Sequence, residues 1–73
     1  MARTYRLDLA GPVPGAVADQ IRRRFGDVTI RARPPGTVLD GSVPDQAALR
    51  ALLGLLWDVG SEVRSLQVTD DGP

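Results

Sequence analysis

A chain without histidine, cysteine or lysine leaves acid–base chemistry to its aspartates, a single glutamate and a single tyrosine. Asp8 and Asp40 are the carboxylates to weigh first. Both occupy outward positions of alternating polar–apolar stretches, and two neighbouring carboxylates can act as acid and base. Arg6, Arg31 and Arg33 share that outward parity. Guanidinium groups beside a carboxylate hold it ionised, so a salt-bridged surface is expected there rather than a proton-transfer site. Metal binding by these aspartates lacks a third ligand at a recognisable spacing, and thiolate or imidazole sites are excluded by composition. Trp57 is the other residue with a chemical option. With Leu53 it forms an i, i+4 ridge on a helical flank. It either packs against a neighbouring helix near Val17 or Ile21, or stands exposed as an aromatic anchor for a second subunit or another protein.

The charge balance narrows the classes further. Nine basic and nine acidic residues cancel, whereas nucleic-acid binders usually carry a basic excess. All nine basic residues are arginine, which together with abundant Ala, Gly, Pro and Val is what a GC-rich genome encodes. Arg22, Arg23 and Arg24 are consecutive on a helix, so they spread around it and form no single phosphate patch. They suit the negative end of that helix's dipole. No apolar run approaches the length of a membrane span, and Met1-Ala2-Arg3-Thr4-Tyr5-Arg6 has no hydrophobic signal core, so the cytoplasm is the expected compartment.

These residues must be positioned by a chain of 73 residues, which is one small domain with a thin core. Val43 to Gly60 is its centre: Ala48, Leu49, Leu52, Leu55, Leu56 and Val59 recur on one helical face. Pro44 fits the first helical position, Asp45 the positive end of the dipole, and Gly60 the left-handed C-terminal residue. Thr4–Leu9 alternates as a strand with Tyr5, Leu7 and Leu9 inward. Gly11-Pro12-Val13-Pro14-Gly15 breaks it, and Val17, Ile21 and Phe25 mark a helix over 16–25 closed by Gly26. Residues 27–33 form a second strand with Val28, Ile30 and Ala32 inward, and 38–43 a third, with Val38, Asp40 and Ser42 outward. Pro34-Pro35-Gly36-Thr37 reads as a type II turn between them. The expected register pairs Arg31 with Asp40 and Ala32 with Leu39. A last strand over 62–69 turns Leu66 and Val68 inward, Arg64 to the margin, and Val63, Ser65, Gln67 and Thr69 outward; 70–73 is read as a frayed tail.

The order is β-α-β-β-α-β. Right-handed crossovers then give an α+β, ferredoxin-like domain over residues 1–73, a four-stranded antiparallel sheet in order 4-1-3-2 with two helices on one face. RRM domains share this topology but stack bases on outward aromatics of the central strands, and here those positions hold Arg6, Asp8, Val38, Asp40 and Ser42. Heavy-metal transport domains of this topology need two cysteines in the first loop. Acylphosphatases need a glycine-rich first loop with an arginine and a partner asparagine, and this chain has no asparagine.

Two resemblances add expectations. Leu9-Ala10-Gly11-Pro12-Val13-Pro14-Gly15-Ala16-Val17-Ala18-Asp19-Gln20-Ile21 is similar to the strand-to-helix turn of ACT-type regulatory domains, where a Pro-Gly pair precedes a hydrophobic helix. That resemblance implies a small effector, often an amino acid, near Pro14 and Gly15; the acidic residue usual ahead of the pair is replaced by Val13. The run from Gly41 to Leu53, with Trp57-Asp58-Val59-Gly60, resembles a recurrent pattern in small stand-alone actinobacterial proteins. It implies a fold and a source, and no activity.

The expected function is a non-enzymatic binding or assembly module that pairs with itself or another protein, with ACT-like effector sensing as the alternative. No cofactor, nucleic acid or membrane is expected as a partner. A domain this small without disulfides or metals gains most from self-association. Leu53 and Trp57 on the helix, and Val63 and Gln67 on the last strand, are the expected interface.

Overall fold

β1 (Ala2–Leu9) runs through the middle of the sheet, and its alternation sends Tyr5, Leu7 and Leu9 into the core, each nearly inaccessible to solvent. The computed structural model describes residues 2–71, and the side chains of 3–69. After β1 come α1 (Gly15–Phe25), β2 (Val28–Arg33), β3 (Gly36–Val43), α2 (Gln46–Asp58) and β4 (Val63–Asp71). The strands lie in the order β2-β3-β1-β4 with every neighbouring pair antiparallel, which is the expected sheet read from its other edge. The two helices cover one face. Ile21 of α1 and Leu49, Leu52, Leu55 and Leu56 of α2 join the three inward β1 residues, Leu39 and Val43 in one core cluster.

The helix ends follow from their caps. Asp45 is the N-cap of α2, and its carboxylate accepts a 2.9 Å bond from the Ala48 N–H. The helix therefore starts two residues later than proline alone suggests, with Pro44 ahead of the cap. At the other end Gly60 takes φ +82°, and the Gly60 and Ser61 N–H groups donate to the carbonyls of Trp57 and Leu56. That is a complete Schellman motif, which uses two carbonyls the helix would otherwise leave open. Gly26 closes α1 at φ +70°, its N–H donating to the Arg22 carbonyl.

Three expectations need correction. β2 and β3 are joined by two residues, Pro34 and Pro35, with the bond between them cis, so the turn is of the proline type VI and not type II. The shorter turn moves the register by two residues: Arg31 stands opposite Val38, Ile30 opposite Leu39 and Thr29 opposite Asp40. Because the slip is even, every side chain keeps its face. Second, the register of β4 on β1 jumps from Ser65 opposite Asp8 to Val63 opposite Leu9. Arg64 is the extra residue of a bulge, and it turns Val63 from the open face onto the core, where it is half-buried. Third, β4 continues through Asp70 and Asp71, which pair with Arg3 and Ala2, so only Gly72 and Pro73 of the expected tail lie outside the described residues.

Alternation gives the side a residue faces and not whether anything covers it. Leu66 and Val68 face the helix side as expected, yet stay 37% and 39% exposed, because β4 is the sheet's edge. Ala32, on the opposite edge, is exposed as well.

Candidate functional site

The open face of the sheet collects the charged residues that the strand pattern promised. Asp40 accepts a 2.7 Å bond from Arg6 Nε at one carboxylate oxygen and a 2.7 Å bond from Arg31 at the other. Arg6 stands directly across from Asp40, whereas Arg31 reaches it from a diagonal position. The Arg6 hydrogen bond holds the Asp40 carboxyl below its ordinary value, against a burial effect acting the other way, and the bond from Arg31 and both positive charges add to the lowering. Asp8 has a separate partner, accepting 2.7 Å from the Ser65 hydroxyl. The two carboxylates thus share a face without acting as a pair. Val38 lies on this face too but is buried, lining one hollow with Arg6, Arg31 and Arg33.

Tyr5 is turned to the other side. Its ring stands opposite Gly41, and its hydroxyl is buried without a hydrogen-bond partner among the described residues. Burial first, then the charges of Asp27 and Asp40, pushes its phenol up to about 12, so it is a neutral core residue over the whole physiological range. Among the described residues, no aromatic lies on the open face. Arg22, Arg23 and Arg24 are solvated at the end of α1, Arg22 facing Asp19 at 3.7 Å. Among the described residues, no three His, Cys, Asp or Glu side chains gather to hold a metal, and no helix is long and apolar enough to cross a membrane.

A salt-bridged surface of this kind has a measurable consequence. Asp8→Asn and Asp40→Asn are each expected to change stability by no more than about 1 kcal/mol, since all their partners are solvent-exposed. The carboxyl of Asp40 is depressed in the folded state, so its contribution is complete above its unfolded value of about 4 and fades as pH falls through the folded one. Urea melts of Asp40→Asn at pH 3 and pH 7 check this: the variant should lie closer to the parent at pH 3.

The second surface is apolar. Trp57 is 63% exposed, which decides between its two placements: it is not packed under α1. Leu53, its ridge partner, is partly buried against the core. Gln67 is exposed on β4, on the opposite face of the strand from Leu66 and Val68. Of the residues expected to form an interface, Trp57 and Gln67 are accessible, Leu53 is accessible in part, and Val63 is drawn inward. Leu66 and Val68 are surface residues that alternation alone places inward; their position on the last strand of the order 4-1-3-2 is the signal that nothing flanks them. Pro14 and Gly15 are exposed at the start of α1. Pro14 borders an open hollow of about 430 Å³ between the β1–α1 and α2–β4 connections, where Glu62 is the one ionisable side chain.

Fold and surface together define a ferredoxin-like α+β domain with a charged open sheet and an uncovered edge strand. The chain belongs to the family described as "Domain of unknown function (DUF8691)", whose model matches residues 4–67. No curated protein matches it. Among solved structures it is similar to the acylphosphatase from Bacillus subtilis, with 20% identity and a TM-score of 0.60 over 97% of this chain and 88% of that one. At that identity the likeness is one of fold. The connection between β1 and α1, residues 10–14, contains no arginine.

Proposed function

We propose that this domain is a non-enzymatic binding and assembly module of the cytoplasm. It joins itself or another protein through the free edge of β4 and the exposed Trp57, and it needs no cofactor, nucleic acid or membrane. The observation that supports this reading most is β4 itself: nine residues long, at the sheet's edge, with Leu66 and Val68 left 37% and 39% exposed. Free N–H and C=O groups along such an edge are a template for another strand, and proteins that remain single usually blunt it. β2, the other edge, is shorter, carries Arg31 and Arg33, and ends in Pro34-Pro35. An acylphosphatase-type reaction is disfavoured by the first loop, which lacks an arginine, and by the absence of asparagine from the sequence.

The second reading, ACT-like sensing of an amino acid, draws on the hollow beside Pro14. Among the described residues lining it, that hollow offers Glu62 for an ammonium group and no cation for a carboxylate. Thermal melts at two protein concentrations, with and without amino acids and nucleotides, separate the readings. For an assembly module the melting temperature rises with protein concentration and ignores the ligands. A melting temperature that follows an amino acid and not the protein concentration replaces assembly with sensing. Turnover of an acyl phosphate would remove the non-enzymatic reading.

A further inference from the structure

Resting on the β4-edge reading, we infer that the partner is a second copy of this chain, added antiparallel along β4 about a two-fold axis at Gln67. The pattern of β4 residues is self-complementary in that register. Gln67 meets Gln67 of the second copy, Leu66 meets Val68, and Ser65 meets Thr69. Beyond them the register brings the bulge position, Arg64, to the strand positions Asp70 and Asp71 of the other copy.

Other registers lose this match. In antiparallel pairing, opposed residues share a face. An odd shift therefore sets Leu66 against Gln67 and puts the two helical layers on opposite sides of the joined sheet. Shifting the axis to Leu66 leaves Arg64 opposite Val68, and shifting it to Val68 leaves Leu66 opposite Asp70. Of these registers, the Gln67 axis alone joins apolar to apolar and brings a basic position to acidic ones. It also accounts for the two exposed residues on the helix side. Leu66 and Val68 of both copies become a four-residue apolar cluster across the junction, and two four-stranded sheets become one of eight. An isologous contact of this kind closes on itself and leaves only the two β2 edges outside.

Sedimentation equilibrium of the full chain tests the register through charge reversal. Arg64→Glu, and the double variant Asp70→Arg/Asp71→Arg, are each expected to weaken the dimer by about tenfold or more. An equimolar mixture of the two should recover the parent affinity, because each junction end is then again basic against acidic. This recovery requires both variants to be folded, so it separates lost association from lost structure. Dimers indifferent to both reversals, or a mixture that fails to recover, overturn the Gln67 register. If Gln67→Pro nevertheless abolishes those dimers, the β4-edge reading survives while the register falls. A dimer untouched by Gln67→Pro removes the edge as well, and a parent chain that stays monomeric at all concentrations removes self-assembly altogether.

Discussion

Leu52→Ala is expected to destabilise the domain by about 2–5 kcal/mol, the range for deleting three carbons from a filled core. Leu52 is fully buried, at the middle of α2, in one cluster with Leu7, Ile21, Leu39 and Leu56. Small domains have little to lose: total stabilities run about 5–15 kcal/mol, and a chain of this size sits toward the lower end. The cluster draws on both helices and two central strands, so a cavity there is bounded from all sides and cannot close by moving one loop. Urea unfolding of the variant at neutral pH should give a midpoint far below the parent or no cooperative transition. A midpoint equal to the parent's would contradict the placement of the α2 stripe. Leu56→Ala, equally buried, should behave alike.

Gly41→Ala is the second substitution expected to matter, for the opposite reason. A Cβ added at Gly41 would lie 2.6 Å from the Asp27 carbonyl oxygen and 2.6 Å from the Tyr5 hydroxyl. The first is backbone, and that carbonyl also accepts from the Ser42 N–H at 3.3 Å, so neither neighbour yields freely. Overfilling a packed site costs about 1–3 kcal/mol, and a displaced strand pairing adds to it. Tyr5 Cζ lies 2.9 Å away as well, so adding Tyr5→Phe removes one of three obstructing atoms and should return part of the loss; two additive losses in the double variant would mean the residues are not coupled. Chemical denaturation of the four proteins in the cycle is the measurement.

The two effects are not equally visible from the sequence. The α2 stripe is visible, because period 3.6 in Leu49, Leu52, Leu55 and Leu56 carries both the helix and its buried face. Strand topology was legible for the same reason, period two in β1 and β2 with a turn signal after each. Gly41 read only as an inward strand residue, because the demand for a glycine comes from Tyr5 on another strand. The hairpin register was off by two residues since Pro34-Pro35-Gly36-Thr37 is compatible with both a four-residue and a two-residue connection, and composition does not choose between them. Alternation alone puts Val63 on the wrong face, because the bulge at Arg64 exists only in the pairing of β4 with β1. The interface candidates suffered from the same limit. Periodicity says that Trp57 lies off the main stripe, and only the placement of α1 says that the flank is bare.

The domain has one tryptophan and one tyrosine, and the fold sends them to opposite extremes, Trp57 out into water and Tyr5 into the core. Its two chromophores are thus assigned to separate events. With Trp57 63% exposed, its indole emission is expected to be that of a solvated ring and to shift little on unfolding, while a partner laid over it would move it to shorter wavelength. Tyr5 is blind to the surface. Its phenol ionises near 10 once the chain unfolds but only near 12 while folded, so between those values phenolate absorbance appears as the core opens, and the folded state weakens progressively through that window. Covering of Trp57 and, between pH 10 and 12, opening of the core around Tyr5 would therefore give separate optical signals without a label.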